Sequence, residues 1–327
     1  MDYLVVAWVA IIAFIFVMYV ILDGFTLGAG IVFPFVPEQH KDLVISSILP
    51  TWDGNQTWLV LGGASLYGAF PLAFSIILPI FYLPILVMVV SLLFRGVSFE
   101  FRLKATAGKH RWDLLFTIGS VAAAFIQGVM LGAFIQGFNL TVNDEFQWLT
   151  PFTIMTGISL VLGYALLGAT RLIYKTVDEL KAKMAKVGIY ASIGVAICIL
   201  IVTIWTPYVN SLVATRWSTP MTAFYLCGLP VITIIAFAVL WGALAKHHDW
   251  LPYWSSVVIF LTGYLGFAFS LWPYIVPNTI TIEQAAAPDS SLKFLLIGAS
   301  IMIPVLLVYT GYAYQIFKGK VTDAIHY

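Results

Sequence analysis

Residues 4–35 read LVVAWVAIIAFIFVMYVILDGFTLGAGIVFPF, a long apolar run in which Asp23 is the one acidic or basic side chain. A transmembrane α-helix needs about 20 apolar residues, so this run is long enough to cross a bilayer. Asp2 precedes it, no basic residue does, and no small-residue cleavage pattern follows it. A secretory signal peptide has basic residues before its apolar run and a small-residue cleavage site after it. We therefore expect the run to be a retained membrane span.

Apolar runs of similar length recur along the whole chain. Of its 327 residues, 61% are hydrophobic and 9% are charged, whereas about 25% of the residues of soluble domains are charged. This composition excludes a water-soluble fold and predicts an all-α membrane protein with one helical domain over residues 1–327. Nine transmembrane helices are expected, near 4–35, 53–76, 79–101, 113–138, 151–174, 187–209, 221–245, 252–276 and 292–317.

The basic residues indicate how the chain lies in the membrane. With nine spans, fourteen of the 16 lysine and arginine residues fall on one side, and Arg216 and Lys293 fall on the other. Basic residues accumulate on the cytoplasmic side of membrane proteins. The amino terminus is therefore expected in the periplasm and the carboxyl terminus in the cytoplasm. The chain has no basic run interleaved with aromatic residues, so nucleic acid is not expected as a partner.

Asp23 is an ionisable group at membrane depth, about two-thirds of the way along the first predicted span. Such groups are costly in a membrane and therefore point to function. Burial favours the neutral form of a carboxyl, which suits a proton relay. A structural hydrogen bond to a neighbouring helix is the alternative. Gly24 and Gly28 follow with GxxxG spacing, which predicts close packing against another helix.

A second acidic residue, Asp53, lies in the segment Trp52-Asp53-Gly54-Asn55-Gln56-Thr57-Trp58, at the cytoplasmic entry of the second predicted span. The spacing of Asp53 and Gln56 is typical of a capping box. Polar side chains beside a tryptophan at the entrance of a span also suit a hydrated entry for protons. We expect Asp53 to serve in both ways.

Glu100 ends the third predicted span, in the segment Arg95-Gly96-Val97-Ser98-Phe99-Glu100-Phe101-Arg102. A solvated ion pair with Lys104, four residues later, is one interpretation, and a functional carboxylate is the other. Arg95 lies about two helical turns deeper than Arg102. A long basic side chain at that depth either extends to the membrane surface or neutralises a buried carboxylate.

The positions of the histidines bear on cofactors. The chain has five, and each falls in a predicted loop or in the tail: His40, His110, His247, His248 and His326. Haem inside a membrane usually needs an axial histidine, so we expect this chain to ligate no haem. The cysteines and histidines also lack the spacing of a metal site.

The three segments from Asp23 to Gly28, from Trp52 to Trp58 and from Arg95 to Arg102 together resemble the signature of subunit II of cytochrome bd-type quinol oxidases. The similarity continues through Trp272 to Pro277 and from Pro304 to Gly319, and so covers essentially the whole chain. The resemblance implies a multi-pass protein of the bacterial cytoplasmic (inner) membrane, with nine spans and the orientation that the charges predict.

The resemblance also implies a function. The chain would be the non-haem subunit of a terminal quinol:oxygen oxidoreductase of an aerobic respiratory chain, an electrogenic enzyme that reduces O2 to water. Haem b and haem d are expected in the partner, subunit I, and no redox centre is expected in this chain. Quinol and membrane lipids are further expected partners. A small single-span accessory subunit and a quinone bound to this chain are left open.

In that family, subunit II lines a proton route from the cytoplasm toward the oxygen-reducing haem. Transferred to this chain, the route enters at Asp53 and continues to Asp23, with Glu100 and Thr26 beside it. The residues expected to support it are Trp52, Asn55, Gln56, Arg95 and Arg102. Many members of the family have a second acidic residue where this chain has Thr26. A hydroxyl can hydrogen-bond to water but cannot store a proton at neutral pH.

Two other functions stay open from the sequence. A proton-coupled secondary transporter would use Asp23 as its coupling carboxyl, and inverted repeats with interrupted helices would favour it, but the sequence shows no such halves. A purely structural subunit would use Asp53 as a helix cap and Asp23 as a packing hydrogen bond. In that case Asp53→Asn would leave turnover intact, because asparagine also caps helices.

Overall fold

The computed structural model describes residues 2–140 and 145–321, without the side chains of residues 220–226. Most of this part is helical, since in lipid a helix satisfies its backbone hydrogen bonds within its own segment. The helices are α1 (Tyr3–Val32), α2 (Lys41–Ile48), α3 (Trp52–Ala69), α4 (Pro71–Ile80), α5 (Tyr82–Lys104), α6 (Lys109–Gln136), α7 (Pro151–Lys175), α8 (Asp178–Val209), α9 (Ser211–Ser218), α10 (Pro220–Ala245), α11 (Leu251–Leu271), α12 (Ile282–Ala285) and α13 (Asp289–Ile316).

Eight of these helices are long and apolar enough to cross a membrane in the described part of the chain: α1, α5, α6, α7, α8, α10, α11 and α13. The prediction of a helical membrane protein is therefore confirmed. The bounds of most predicted spans lie within a few residues of the bounds of an observed helix. The largest difference is in α8, which begins at Asp178 and not near residue 187. Its first two turns are charged, so hydropathy alone assigned them to a loop.

The predicted span near 53–76 differs from the structure. Its place is taken by α3, which ends at Ala69, and by the ten-residue α4, which begins at Pro71. The polar side chains in the first two turns of α3 lower its hydropathy, so it is not among the eight spans. Proline favours the first position of a helix, which explains the new start at Pro71. The predicted spans 53–76 and 79–101 are therefore separated by α4, a short helix that hydropathy did not distinguish from them.

A short β-hairpin interrupts the helices after α11. Strands β1 (Tyr274–Val276) and β2 (Ile280–Thr281) pair in antiparallel fashion. The turn between them contains Asn278, whose φ is +64°, a backbone conformation that asparagine tolerates better than most residues. The predicted span 252–276 accordingly ends early, at Leu271.

Helix α1 crosses α7 at very short range. A methyl group added at Gly28 would overlap the backbone of Tyr164 and Gly168, and one added at Gly168 would overlap the backbone of Gly28. At Gly24, the same methyl group would lie 2.8 Å from the ring of Tyr164. The close packing predicted from the GxxxG spacing is confirmed, and its partner is α7.

Replacing Gly28 or Gly168 by alanine is expected to destabilise the protein by about 1–3 kcal/mol, because the added methyl group forces the two helices apart. The change is measured as a lower midpoint of thermal unfolding in detergent. Gly263→Ala on α11 is the matched control, since a methyl group there meets nothing within 4 Å. Equal midpoints for Gly28→Ala and Gly263→Ala would contradict the close crossing.

Candidate functional site

Asp23 of α1 and Arg95 of α5 form an ion pair inside the bundle. Nη1 and Nη2 of Arg95 each donate to Oδ1 of Asp23 at 3.0 Å. The side chain of Asp23 is 0% exposed and that of Arg95 is 1% exposed. Either charge alone would be costly at such a position, but the two charges compensate each other. Of the two roles considered for Arg95, the structure shows the neutralisation of a buried carboxylate.

Thr26 completes this ion-pair site. Its hydroxyl lies 2.5 Å from Asp23 Oδ1, to which it donates, and it accepts a hydrogen bond from Arg95 Nη1 at 3.0 Å. Asp23 Oδ2 and Arg95 Nε are buried and have no hydrogen-bond partner in the described part of the chain. One carboxylate oxygen is therefore held by Arg95 and Thr26, and the other has its lone pairs free.

Asn55 connects the second motif to this site. Its Nδ2 donates to the carbonyl oxygen of Leu22 at 2.8 Å, directly before the ion-paired carboxylate. Its Oδ1 accepts from the hydroxyl of Tyr314 on α13 at 3.1 Å. Trp52 packs against Phe99 of α5, with ring centroids 4.9 Å apart. The start of α3 is thus held against α1, α5 and α13.

Asp53 is exposed in the first turn of α3. The N-cap of this helix is Thr51, and no side chain caps the end. The predicted capping box of Asp53 with Gln56 is therefore wrong, because Asp53 lies inside the helix and not at its cap. An acidic residue in the first turn still interacts favourably with the helix dipole. Nε2 of Gln56 is buried without a hydrogen-bond partner among the described residues.

Glu100 is also exposed, near the end of α5. The salt bridges of the described residues do not include a pair between Glu100 and Lys104, so that interpretation is wrong. Gly96 of α5 faces the ring of Trp52, which a methyl group there would approach to 3.1 Å. Since Trp52 directly precedes Asp53, the end of α5 that carries Glu100 adjoins the start of α3.

Arg102 lies in a separate charged cluster that the sequence did not predict. Its guanidinium bonds to the carboxylates of Asp42 and Asp113. Lys41 bonds to Asp113 at 2.8 Å, and Lys109 bonds to Asp42 at 3.1 Å. The cluster links α2, which lies between α1 and α3 in the sequence, to α5 and α6. Arg102 therefore supports the packing of these elements and does not contact Asp23.

The cluster sets the charge state of Asp42. Burial raises the pKa of its carboxyl, but hydrogen bonds from Lys109 and Arg102 outweigh burial and hold the net pKa below its ordinary value. A carboxyl whose pKa is lower in the folded protein stabilises the fold above its unfolded pKa, which is about 3.9. This contribution is lost as the pH falls through the folded pKa.

Asp42→Asn is therefore expected to lower the unfolding midpoint at neutral pH, and the difference from the wild type should shrink as the pH falls below about 4. The measurement is thermal unfolding across a pH series. Glu100→Gln is the control, since its carboxylate forms none of these ion pairs, and it should give a difference that varies little with pH. A gap for Asp42→Asn that persists at low pH would contradict the ion-pair account.

Removing the charge of Arg95 should be strongly destabilising. Arg95→Gln leaves a buried carboxylate without its cation, which costs about 3–5 kcal/mol. The double variant Asp23→Asn, Arg95→Gln should recover part of that loss, because neither amide needs a compensating charge. The three variants form a double-mutant cycle on the unfolding midpoint, with Arg111→Gln, at an exposed position of α6, as control. A double variant as unstable as the sum of the two single ones would show that the pair is not coupled.

The described residues contain no group of three or more histidine, cysteine or acidic side chains that could hold a metal ion. His110 is exposed as the second residue of α6 and does not lie in a loop. His40 is at the end of a short 3-10 helix, whereas His326 lies outside the described residues.

The fold and the site together define a polytopic helical membrane protein with a compensated charge pair inside its bundle. A family model for cytochrome bd terminal oxidase subunit II matches residues 4–317. Cytochrome bd-I ubiquinol oxidase subunit 2 of Escherichia coli (strain K12) is 24% identical, with 96% of this chain and 94% of that protein covered. Cytochrome bd ubiquinol oxidase subunit 2 of Bacillus subtilis (strain 168) is also 24% identical, with 96% of each covered.

A chain of the bd oxidase from Geobacillus thermodenitrificans has the same fold, with a TM-score of 0.82 over 97% of this chain and 99% of that one, at 14% identity. This chain belongs to the cytochrome bd terminal oxidase subunit II family. It is thus a multi-pass membrane subunit of a terminal quinol oxidase, and the family implies a complex with a subunit I and haem cofactors in that complex.

Proposed function

We propose that this chain takes up protons from the cytoplasm and conducts them toward subunit I of the oxidase. The observation that carries the proposal is the free oxygen of Asp23. Oδ1 is held by Arg95 and Thr26, whereas Oδ2 is buried and without a hydrogen-bond partner in the described residues. A proton can bind to Oδ2 without breaking the bonds that position the carboxylate.

The proposed orientation follows the charges. Arg95 and Glu100 lie toward the carboxyl end of α5, and the exposed Asp53 lies at the start of α3 beside that end. Fourteen basic residues fall on this side when α3 is counted as the ninth crossing, and basic residues face the cytoplasm. The amino terminus would then be periplasmic, the carboxyl terminus cytoplasmic, and the chain one helical domain of the bacterial inner membrane.

Protons would enter at Asp53, which is exposed and therefore exchanges with water. Glu100 on the adjoining helix end adds a second negative charge that attracts protons to the same entrance. Inward from Asp53, Asn55 and the buried amide of Gln56 offer polar groups, and Asn55 bonds to the backbone beside Asp23. The proton would then bind to Asp23 Oδ2. Thr26 serves as a hydrogen-bonding group and stores no proton.

This division of labour matches the chemistry of the complex. In our proposal, the haems b and d of subunit I carry electrons from quinol to O2, and this chain carries no redox centre. Reduction of O2 to water consumes protons, which the route through Asp53 and Asp23 supplies from the cytoplasm. Quinol oxidation on the outer side releases protons there, so turnover separates charge across the membrane.

The test is quinol-driven O2 consumption by the purified complex. Asp53→Asn and Asp23→Asn should each lower turnover by at least about tenfold, because an amide cannot accept and release a proton. Glu179→Gln is the control, since this exposed carboxylate bonds to His40 and lies apart from the route. The haem content of each variant is measured alongside, so that failed assembly is recognised.

Full turnover in both variants would favour a purely structural subunit. Loss of turnover with Asp53→Asn is informative here because Asp53 does not cap α3. Its exposed side chain also makes no hydrogen bond to the other described residues that the amide would break.

A further inference from the structure

Three buried or partly buried polar side chains next to Asp23 are not used by the proposed route. Tyr164 of α7 donates from its hydroxyl to Gln127 Oε1 of α6 at 3.0 Å. Gln127 Nε2 donates to the hydroxyl oxygen of Tyr19 of α1 at 2.8 Å. Both tyrosines are buried. The three side chains form a hydrogen-bonded chain across the interior of the bundle, and we call it the Tyr19 chain.

The hydrogen bonds of the Tyr19 chain run in one direction. The proton of the Tyr164 hydroxyl goes to Gln127, and the amide proton of Gln127 goes to Tyr19. The hydroxyl of Tyr19 has one proton of its own to donate, and among the described residues this proton has no hydrogen-bond acceptor. A buried donor without an acceptor is costly, so a partner for this proton is expected nearby.

Asp23 Oδ2 is the unsatisfied acceptor in the same region. Asp23 follows Tyr19 by four residues, so the two side chains lie on one face of α1, one turn apart. The ring of Tyr164 is fixed close by, against Gly24 and stacked on Phe260 with centroids 5.8 Å apart.

A third unsatisfied group lies beside Tyr19. Trp58 of α3 is fully buried and packs with Tyr19 and Ile15 in one cluster. Its Nε1 has no hydrogen-bond partner among the described side chains. Among the described residues, the unsatisfied groups of this region that concern us are two donors, Trp58 Nε1 and the hydroxyl of Tyr19, and one acceptor, Asp23 Oδ2. A buried water molecule typically makes about three hydrogen bonds, with this mixture of donors and acceptors.

We infer that one ordered water molecule binds between Tyr19, Trp58 and Asp23 Oδ2, and that the Tyr19 chain holds it in position. The water accepts from Trp58 Nε1 and from the hydroxyl of Tyr19, so both of its hydrogens remain for donation, one of them to Oδ2. Tyr19 and Gln127 are positioning residues in this account. It rests on the proposed function only where it links this water to the proton carried by Asp23.

The first test is a cryo-EM map of the whole oxidase at a resolution that shows ordered water. The expected result is a density peak within about 2.6–3.2 Å of Asp23 Oδ2, Tyr19 Oη and Trp58 Nε1, and its loss in Tyr19→Phe. A direct hydrogen bond between Tyr19 Oη and Asp23 Oδ2 would overturn the inference. Side chains that fill the space between these atoms and leave no room for water would also overturn it. The map is independent of turnover, so it separates this inference from the proposed function.

The second test is steady-state kinetics of the complex. Tyr19→Phe should lower kcat by about tenfold and leave the KM for quinol unchanged, because the water loses one of the groups that hold it and takes part only in the movement of protons. Gln127→Leu should lower kcat less, since Tyr19 keeps its hydroxyl. Tyr264→Phe is the matched control: it removes a hydroxyl that also bonds to α1, at the carbonyl of Ala13, and should leave kcat unchanged. Equal kcat values for Tyr19→Phe and Tyr264→Phe would overturn the positioning role.

Discussion

The buried ion pair of Asp23 and Arg95 is the constraint on which the rest of the structure depends. Two charges with almost no exposure are tolerable only if they meet with good geometry, so α1 and α5 must keep one fixed register. Thr26 supports that register because its hydroxyl bonds to both partners. The pair also divides the carboxylate into a held oxygen and a free one, and the proposed proton chemistry uses the free oxygen.

Packing and polar chemistry share one segment of α1. Gly24 and Gly28 let α7 approach so closely that Tyr164 lies against the turn that carries Asp23. On the opposite side, Asn55 holds α3 to the backbone of Leu22. The small residues that allow this close crossing therefore also bring Tyr164 of α7 next to the turn that carries the carboxylate. A change at Gly24 would act on the site as well as on the fold.

Much of this arrangement follows from the sequence, and the remainder depends on tertiary contacts. Apolar length identified most spans, and Asp23, Gly24 and Gly28 were recognised because a carboxylate or a GxxxG spacing is conspicuous in an apolar run. The partner of Arg95 was not predictable, since Asp23 lies far away in sequence. The cluster of Arg102 was missed because Asp42 and Asp113 resemble ordinary solvated residues. The membrane orientation and the ninth crossing stay predictions.

The central claim, that cytoplasmic protons reach the oxidase through Asp23, is tested most directly by electrical measurement on the complex in vesicles. The voltage generated during a single reaction of the reduced enzyme with O2 is recorded for the wild type and for Asp23→Asn. The account predicts that Asp23→Asn slows or abolishes the voltage phase that accompanies proton uptake, with haem content unchanged. A voltage phase of full size and unaltered rate in Asp23→Asn would contradict it.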